Sequence, residues 1–142
     1  EAERRMGWQL LLNQHITLHR GADSIAVVGV ENSSRPPFPD RGDLPKAIGP
    51  HPCPYSIVLT HDPSHWRRAV LPTTGAQLTL SGHTHAMQLK IGGFSPSQWI
   101  YPEWGGVYRE GSRYLNVNTG TGGNVPFRFG AWPEIALITL RQ

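Results

Sequence analysis

The sequence predicts an α/β chain, α+β by content, built mostly of β-strands with two or three short helices. Three observations carry this. At 142 residues with 38% apolar and 16% charged residues, the chain is one domain's worth, residues 1–142, and can bury a core. Its apolar runs are short and β-branched, as in Ser24–Val30 and Ser56–Thr60. Two of those runs end on histidine: His61 follows Thr60, and Gly82-His83-Thr84-His85 follows Leu78 and Leu80. Open α/β sheets place their ligands beyond the carboxyl ends of strands, so such endings suit a ligand site.

Taken in order, residues Ala2 to Asn13 read as a helix, with acids first and the pairs Met6/Leu10 and Trp8/Leu12 at i, i+4, although Gly7 weakens it. His15-Ile16-Thr17-Leu18-His19 alternates with period two and reads as an exposed strand. Gly21 to Asp23 is a turn, and Ser24–Val30 is a buried strand closing a hairpin. His15 and His19 fall on the polar side of the first strand as solvated residues. From Glu31 to Pro54 the chain is proline-dense, and loops of that length in compact domains are functional or disordered. Within it Asp43, with Pro45 just inside, caps a single helical turn through Ile48, and His51 reads as a surface residue.

Ser56–Thr60 is the next strand. Asp62-Pro63 then opens a short helix to Leu71, with His65 on its surface. Asp62 reads first as a cap and second as a partner to a ligand-bearing histidine. The Leu78 strand delivers the two-histidine turn. Beyond a segment rich in glycine and aromatics, Val107–Arg109 and Tyr114–Asn118 form a hairpin around Gly111-Ser112-Arg113. Gly120-Thr121-Gly122-Gly123-Asn124 is a turn and not a phosphate-binding P-loop, since it lacks the Gly-Lys-Ser/Thr ending. Glu134–Leu140 reads as a final buried strand.

Composition excludes several function classes. The formal charge is +3, spread as Arg4-Arg5, Arg67-Arg68 and singletons, which favours an anionic ligand only weakly, and no nucleic-acid recognition motif is seen. The single cysteine, Cys53, allows neither an intrachain disulfide nor a cysteine metal cluster. No apolar run approaches the length of a spanning helix, and no signal peptide or other address is read in the chain.

Residues at i and i+2 of an extended segment point to the same side, so His83 and His85 can present imidazoles into one cavity, with His61 beside them on a neighbouring strand. Three neutral nitrogens suit Zn, Mn or Fe. The residues alone leave two chemistries open: a mononuclear His₃ zinc hydrolase that activates water, and a non-catalytic, metal-binding β-rich module.

Thr60-His61-Asp62-Pro63, then Gly82-His83-Thr84-His85-Ala86-Met87-Gln88, then Val117-Asn118-Thr119-Gly120, with Val125-Pro126-Phe127-Arg128-Phe129 and Pro133-Glu134-Ile135, add a third reading. In order and spacing they resemble the C-terminal half of a calcineurin-like metallophosphoesterase, from about Ser24 onward. The resemblance is closest to the bacterial branch whose histidine turn is followed by glutamine. It implies half of an αββα sandwich whose complete site holds two divalent ions, Mn, Fe or Zn, and hydrolyses phosphate mono- or diesters through a metal-bridging hydroxide. His61 and His83 would bind one metal and His85 the other.

The family's upstream motifs, Asp-x-His, Gly-Asp-x-x-Asp and Gly-Asn-His-Asp/Glu, are absent, and Gly42-Asp43 is a decoy for them. No catalytic acid or base is therefore assigned. The resemblance implies that Glu1 is not the native start, that the missing N-terminal half is a partner, and that the chain alone is weak or inactive and self-associates. Ala86-Met87 stands where that branch has two glycines, which would reshape the cleft.

Overall fold

The computed structural model describes residues 2–51 and 53–141; Glu1, Pro52 and Gln142 lie outside the described residues. Six strands form one mixed sheet: β1 Gln14–Arg20, β2 Asp23–Gly29, β3 Tyr55–Leu59, β4 Leu78–Ser81, β5 Gly106–Glu110 and β6 Arg113–Val117. Their spatial order is β1-β2-β3-β4-β6-β5. The four inner strands β2, β3, β4 and β6 are parallel, and each outer strand is antiparallel to its neighbour. Helical structure is sparse: α1 Ala2–Arg5, α2 Leu44–Ile48, a π-helical turn Trp66–Val70 running into α3 Leu71–Thr73, and short turns at His85–Gln88 and Pro96–Trp99. This is the strand-dominated α/β architecture the sequence predicts.

Register explains where the core sits. Ala26, Val28, Val58, Leu115 and Val117 point to one face, where Leu44, Ala47, Trp66, Val70 and Ala76 cover them. The alternate positions, Ile25, Val27, Ile57, Leu59 and Leu80, make the opposite face, joined by Ile16 and Leu18 of β1. That face is only partly shielded, with Leu59 37% and Leu18 48% exposed.

The hairpin of β1 and β2, the α2 turn and the hairpin of β5 and β6 agree with the sequence reading. Asp43 caps α2 by accepting a 3.0 Å bond from the Lys46 backbone N–H. Four expectations are corrected. The first helix stops at Arg5, because Gly7 takes φ 79° and the residues beyond it are irregular. Glu134–Leu140 forms no strand: it pairs with no described edge, and Ile135 and Leu137 are 89% and 93% exposed. His65 is buried, its Nδ1 2.9 Å from the Thr60 hydroxyl. His51 is half-buried against the His15 ring, and His15 is itself held 2.9 Å from the Ala47 carbonyl.

Candidate metal centre

The four parallel strands all point their carboxyl ends at one edge of the sheet, so the segments following β3 and β4 meet there. The backbone continues the pairing past the strands: the Thr60 N–H donates to the Leu80 carbonyl and the Gly82 N–H to the His61 carbonyl, each at 3.0 Å. His61 and His83 are thereby brought side by side, ring centroids 4.9 Å apart and nearly perpendicular.

Two further aromatic groups close around His83. Its Nε2 is 2.7 Å from the Tyr101 hydroxyl, and the Tyr101 ring packs edge-on at 5.4 Å. The Phe38 ring meets its other side edge-on at 5.3 Å.

His85 is held differently. Its Nδ1 lies 3.1 Å from the Thr119 carbonyl. The Arg128 guanidinium lies 3.3 Å from the same Nδ1, so the two neighbours ask opposite roles of that nitrogen: the Thr119 carbonyl a proton, the guanidinium a lone pair. Arg128 donates to the same carbonyl at 2.9 Å and also to the carbonyls of Gly122 and Ala131, holding the glycine loop beside His85. The three rings do not close into one cluster: among the described residues, no group of three or more His, Cys, Asp or Glu side chains is placed to hold a metal ion.

The turn carrying these histidines is left-handed. His83 has φ 71°, and His85, Ala86, Met87 and Gln88 follow at 48°, 52°, 47° and 57°. Residues with a Cβ pay roughly 1–2 kcal/mol each for that region, which glycine enters freely. The two positions where the resembling branch carries glycine, Ala86 and Met87, are thus positions where glycine would be unstrained. Hydrogen bonds hold the turn in place. Thr84 donates to the Trp104 carbonyl at 2.6 Å, the Met87 N–H donates to the Thr84 carbonyl at 2.8 Å, and Ser95 donates to the Ala86 carbonyl at 2.7 Å.

Gln88 closes the arrangement. Buried, it accepts from the Asn124 and Val125 N–H groups at 2.6 and 3.1 Å and donates to the Val125 and Phe127 carbonyls at 2.9 and 2.6 Å. A Cβ on Gly123 would stand 2.5 Å from its amide, so the glycine loop is shaped to this side chain. In the sequence Gln88 stands out only as part of the histidine-turn motif. Its position three residues after His85, with a glycine-rich segment downstream, was the available signal.

Asp62 lies between these histidines and the buried helix start. It is fully buried, one oxygen accepts from the Ser64 N–H at 2.8 Å, and the other has no partner. A buried carboxylate oxygen left bare is costly and points to a missing partner such as water or an ion. Burial and then His83 lower the His61 pKa, with Asp62 opposing, which keeps the imidazole neutral and able to donate a lone pair. The Tyr101 hydroxyl is held above its ordinary range by burial and then by Asp62, while Arg35 pulls it the other way.

In comparisons with known proteins, the chain is 40% identical over 96 residues to YkuE of Bacillus subtilis (strain 168), an uncharacterized metallophosphoesterase. The match covers 62% of this chain but only 32% of that protein's length. No family model and no solved structure matches the chain.

Proposed function

We propose that this chain is the histidine-bearing part of a metal-dependent phosphoesterase, a hydrolase of phosphate mono- or diesters. The observation that supports it most is the pairing of His61 and His83 at the ends of adjacent parallel strands, with His85 two residues on. Similarity to a protein named as a metallophosphoesterase points the same way.

In this reading His61 and His83 hold one divalent ion and His85 a second, the ions being Mn, Fe or Zn. Bound there, such ions supply a hydroxide nucleophile near neutral pH and absorb the charge developing on the phosphoryl oxygens. The chain's own residues keep the His61 imidazole neutral by burial, fix the His85 and His83 rings through Thr119 and Tyr101, and place the buried Asp62 carboxyl behind them. With no carboxylate among the described residues in bridging position, the remaining ligands come from elsewhere in the assembled enzyme, and this stretch alone binds metal weakly and hydrolyses slowly or not at all.

The test is a titration of the purified chain with Mn²⁺ and Zn²⁺, followed by assay on bis(p-nitrophenyl) phosphate. Weak uptake, abolished by His83→Ala, with little turnover is the expected result. No uptake of either ion refutes the metal reading. Rapid Mn²⁺-dependent hydrolysis by the chain alone, lost in His83→Ala, refutes its incompleteness.

A further inference from the structure

The loop between β2 and α2 is long and proline-rich, yet it is built rather than loose. Ser33 bridges Asp40 in antiparallel fashion, the Arg41 N–H donates to the Asn32 carbonyl at 2.7 Å, and the Asn32 amide donates to the Pro39 carbonyl at 2.6 Å. Ser34 donates to the Asn32 side chain at 2.8 Å. Arg68, from the helical turn behind, clamps the base by donating to both the Ser33 carbonyl and its hydroxyl, at 2.9 and 3.0 Å, with the Asp40 carboxylate 3.9 Å away.

The tip of this hairpin-like loop is the turn Arg35–Phe38, closed by a 3.1 Å bond from the Phe38 N–H to the Arg35 carbonyl. That tip touches the candidate centre. Phe38 lays its ring edge on His83 and is still 49% exposed, and Arg35 opens the same turn. The Arg35 side chain is exposed, and its guanidinium has neither a hydrogen bond nor an ion pair among the described residues. It differs in this from Arg67, Arg68, Arg113 and Arg128, each of which is committed to a carboxylate or to backbone carbonyls.

A guanidinium without a committed partner, on the turn whose Phe38 packs against His83 and near enough to Tyr101 to pull its hydroxyl pKa down, on a loop braced from behind, is placed to receive an anion. Arginine's planar fork matches two non-bridging phosphate oxygens at once. An exposed phenyl face next to it suits an apolar, flat group on the ester.

We propose that the 32–41 loop is the substrate-recognition wall of the centre, with Arg35 binding the phosphate and Phe38 packing against an aromatic or similarly flat organic group of the ester. The inference rests on the phosphoesterase reading for its substrate class, though binding at the loop does not require catalysis. Its consequence is selectivity: an aryl phosphate binds more tightly than inorganic phosphate, by the contribution of Phe38.

The experiment is a calorimetric or NMR titration of the chain, in Mn²⁺, with inorganic phosphate and with phenyl phosphate, for wild type, Arg35→Ala and Phe38→Ala. A Mn²⁺ titration of each variant runs alongside. Expected are about tenfold weaker binding of both ligands in Arg35→Ala with unchanged Mn²⁺ uptake, and loss of the preference for phenyl phosphate in Phe38→Ala. The proposal is overturned if Arg35→Ala binds phosphate as wild type does, if Phe38→Ala keeps the preference, or if neither ligand binds wild type. Failure of the metal reading looks different: wild type takes up no Mn²⁺, yet phenyl phosphate still depends on Arg35.

Discussion

His65 is uncharged where it sits. Burial, and then the neighbouring Arg68, lower its pKa against the opposing pull of Asp40 and Asp62. Unfolded, it titrates at about 6.5, so below that value the unfolded chain takes up the proton first. Stability is therefore intact above that pH and is lost as pH falls toward the lowered folded value; His61 adds a loss of the same sign. Urea midpoints measured from pH 7 down to pH 5 should decline, and His65→Gln should flatten part of that decline; an unchanged slope in the variant would sink this account. Met87 offers a second test, since it is 43% exposed and sits at φ 47°. Met87→Gly relieves roughly 1 kcal/mol or more of left-handed strain and loses part of that to glycine's chain entropy, a net gain of about 0.5 kcal/mol read as a higher denaturation midpoint. At this scale the meeting of His61 and His83 was legible, because two adjacent parallel strands run toward them. The reading of His83 and His85 as i, i+2 neighbours on an extended segment was not right, because both sit at positive φ in a left-handed turn and the three rings do not close into one cluster. The burial of His65 was not legible, because it depends on Thr60 lying beneath it, a contact across five residues and a tight turn.

Elements were legible where they carry their own partner. The β1–β2 and β5–β6 hairpins and the Asp43-capped turn need only neighbours in sequence, and all are present. Glu134–Leu140 has the composition of a buried strand and no ladder, since a strand exists only against another edge. The 85–88 turn and the 124–127 segment illustrate a dependence that composition hides: one glutamine amide ties them together. In Gly123→Ala the new methyl group would meet that amide, which four hydrogen bonds hold in place, so a loss of about 1–3 kcal/mol is expected in chemical denaturation. A stability equal to wild type would mean that Gln88 yields, and that it does not fix the loop beside His85.

On the scale of the whole molecule, the sheet has one covered face and one that is not. Ile16, Leu18, Ile25, Val27, Ile57, Leu59 and Leu80 share the second face, and Ile138 and Leu140 reach only partly toward burial. An apolar face left open in this way is expected to drive association of the chain with itself. Sedimentation velocity should show the weight-average coefficient rising with concentration, and Leu18→Lys should reduce the rise; a concentration-independent monomer would count against it. The sequence pattern anticipates this face, because alternation along β2 and β3 places apolar residues on both sides, but not which side the helices cover.

The common polarity of the inner strands has a practical corollary. Both hairpin tips, Gly21-Ala22 and Gly111-Ser112, lie at the amino ends of β2 and β6, a full strand length of about 17 Å from the edge that carries the histidines. Cys53, the chain's one cysteine, is buried. A thiol installed by Ser112→Cys would therefore take a fluorophore alone, giving a reporter or tether anchored far from the chemistry and well placed for watching what the opposite rim captures.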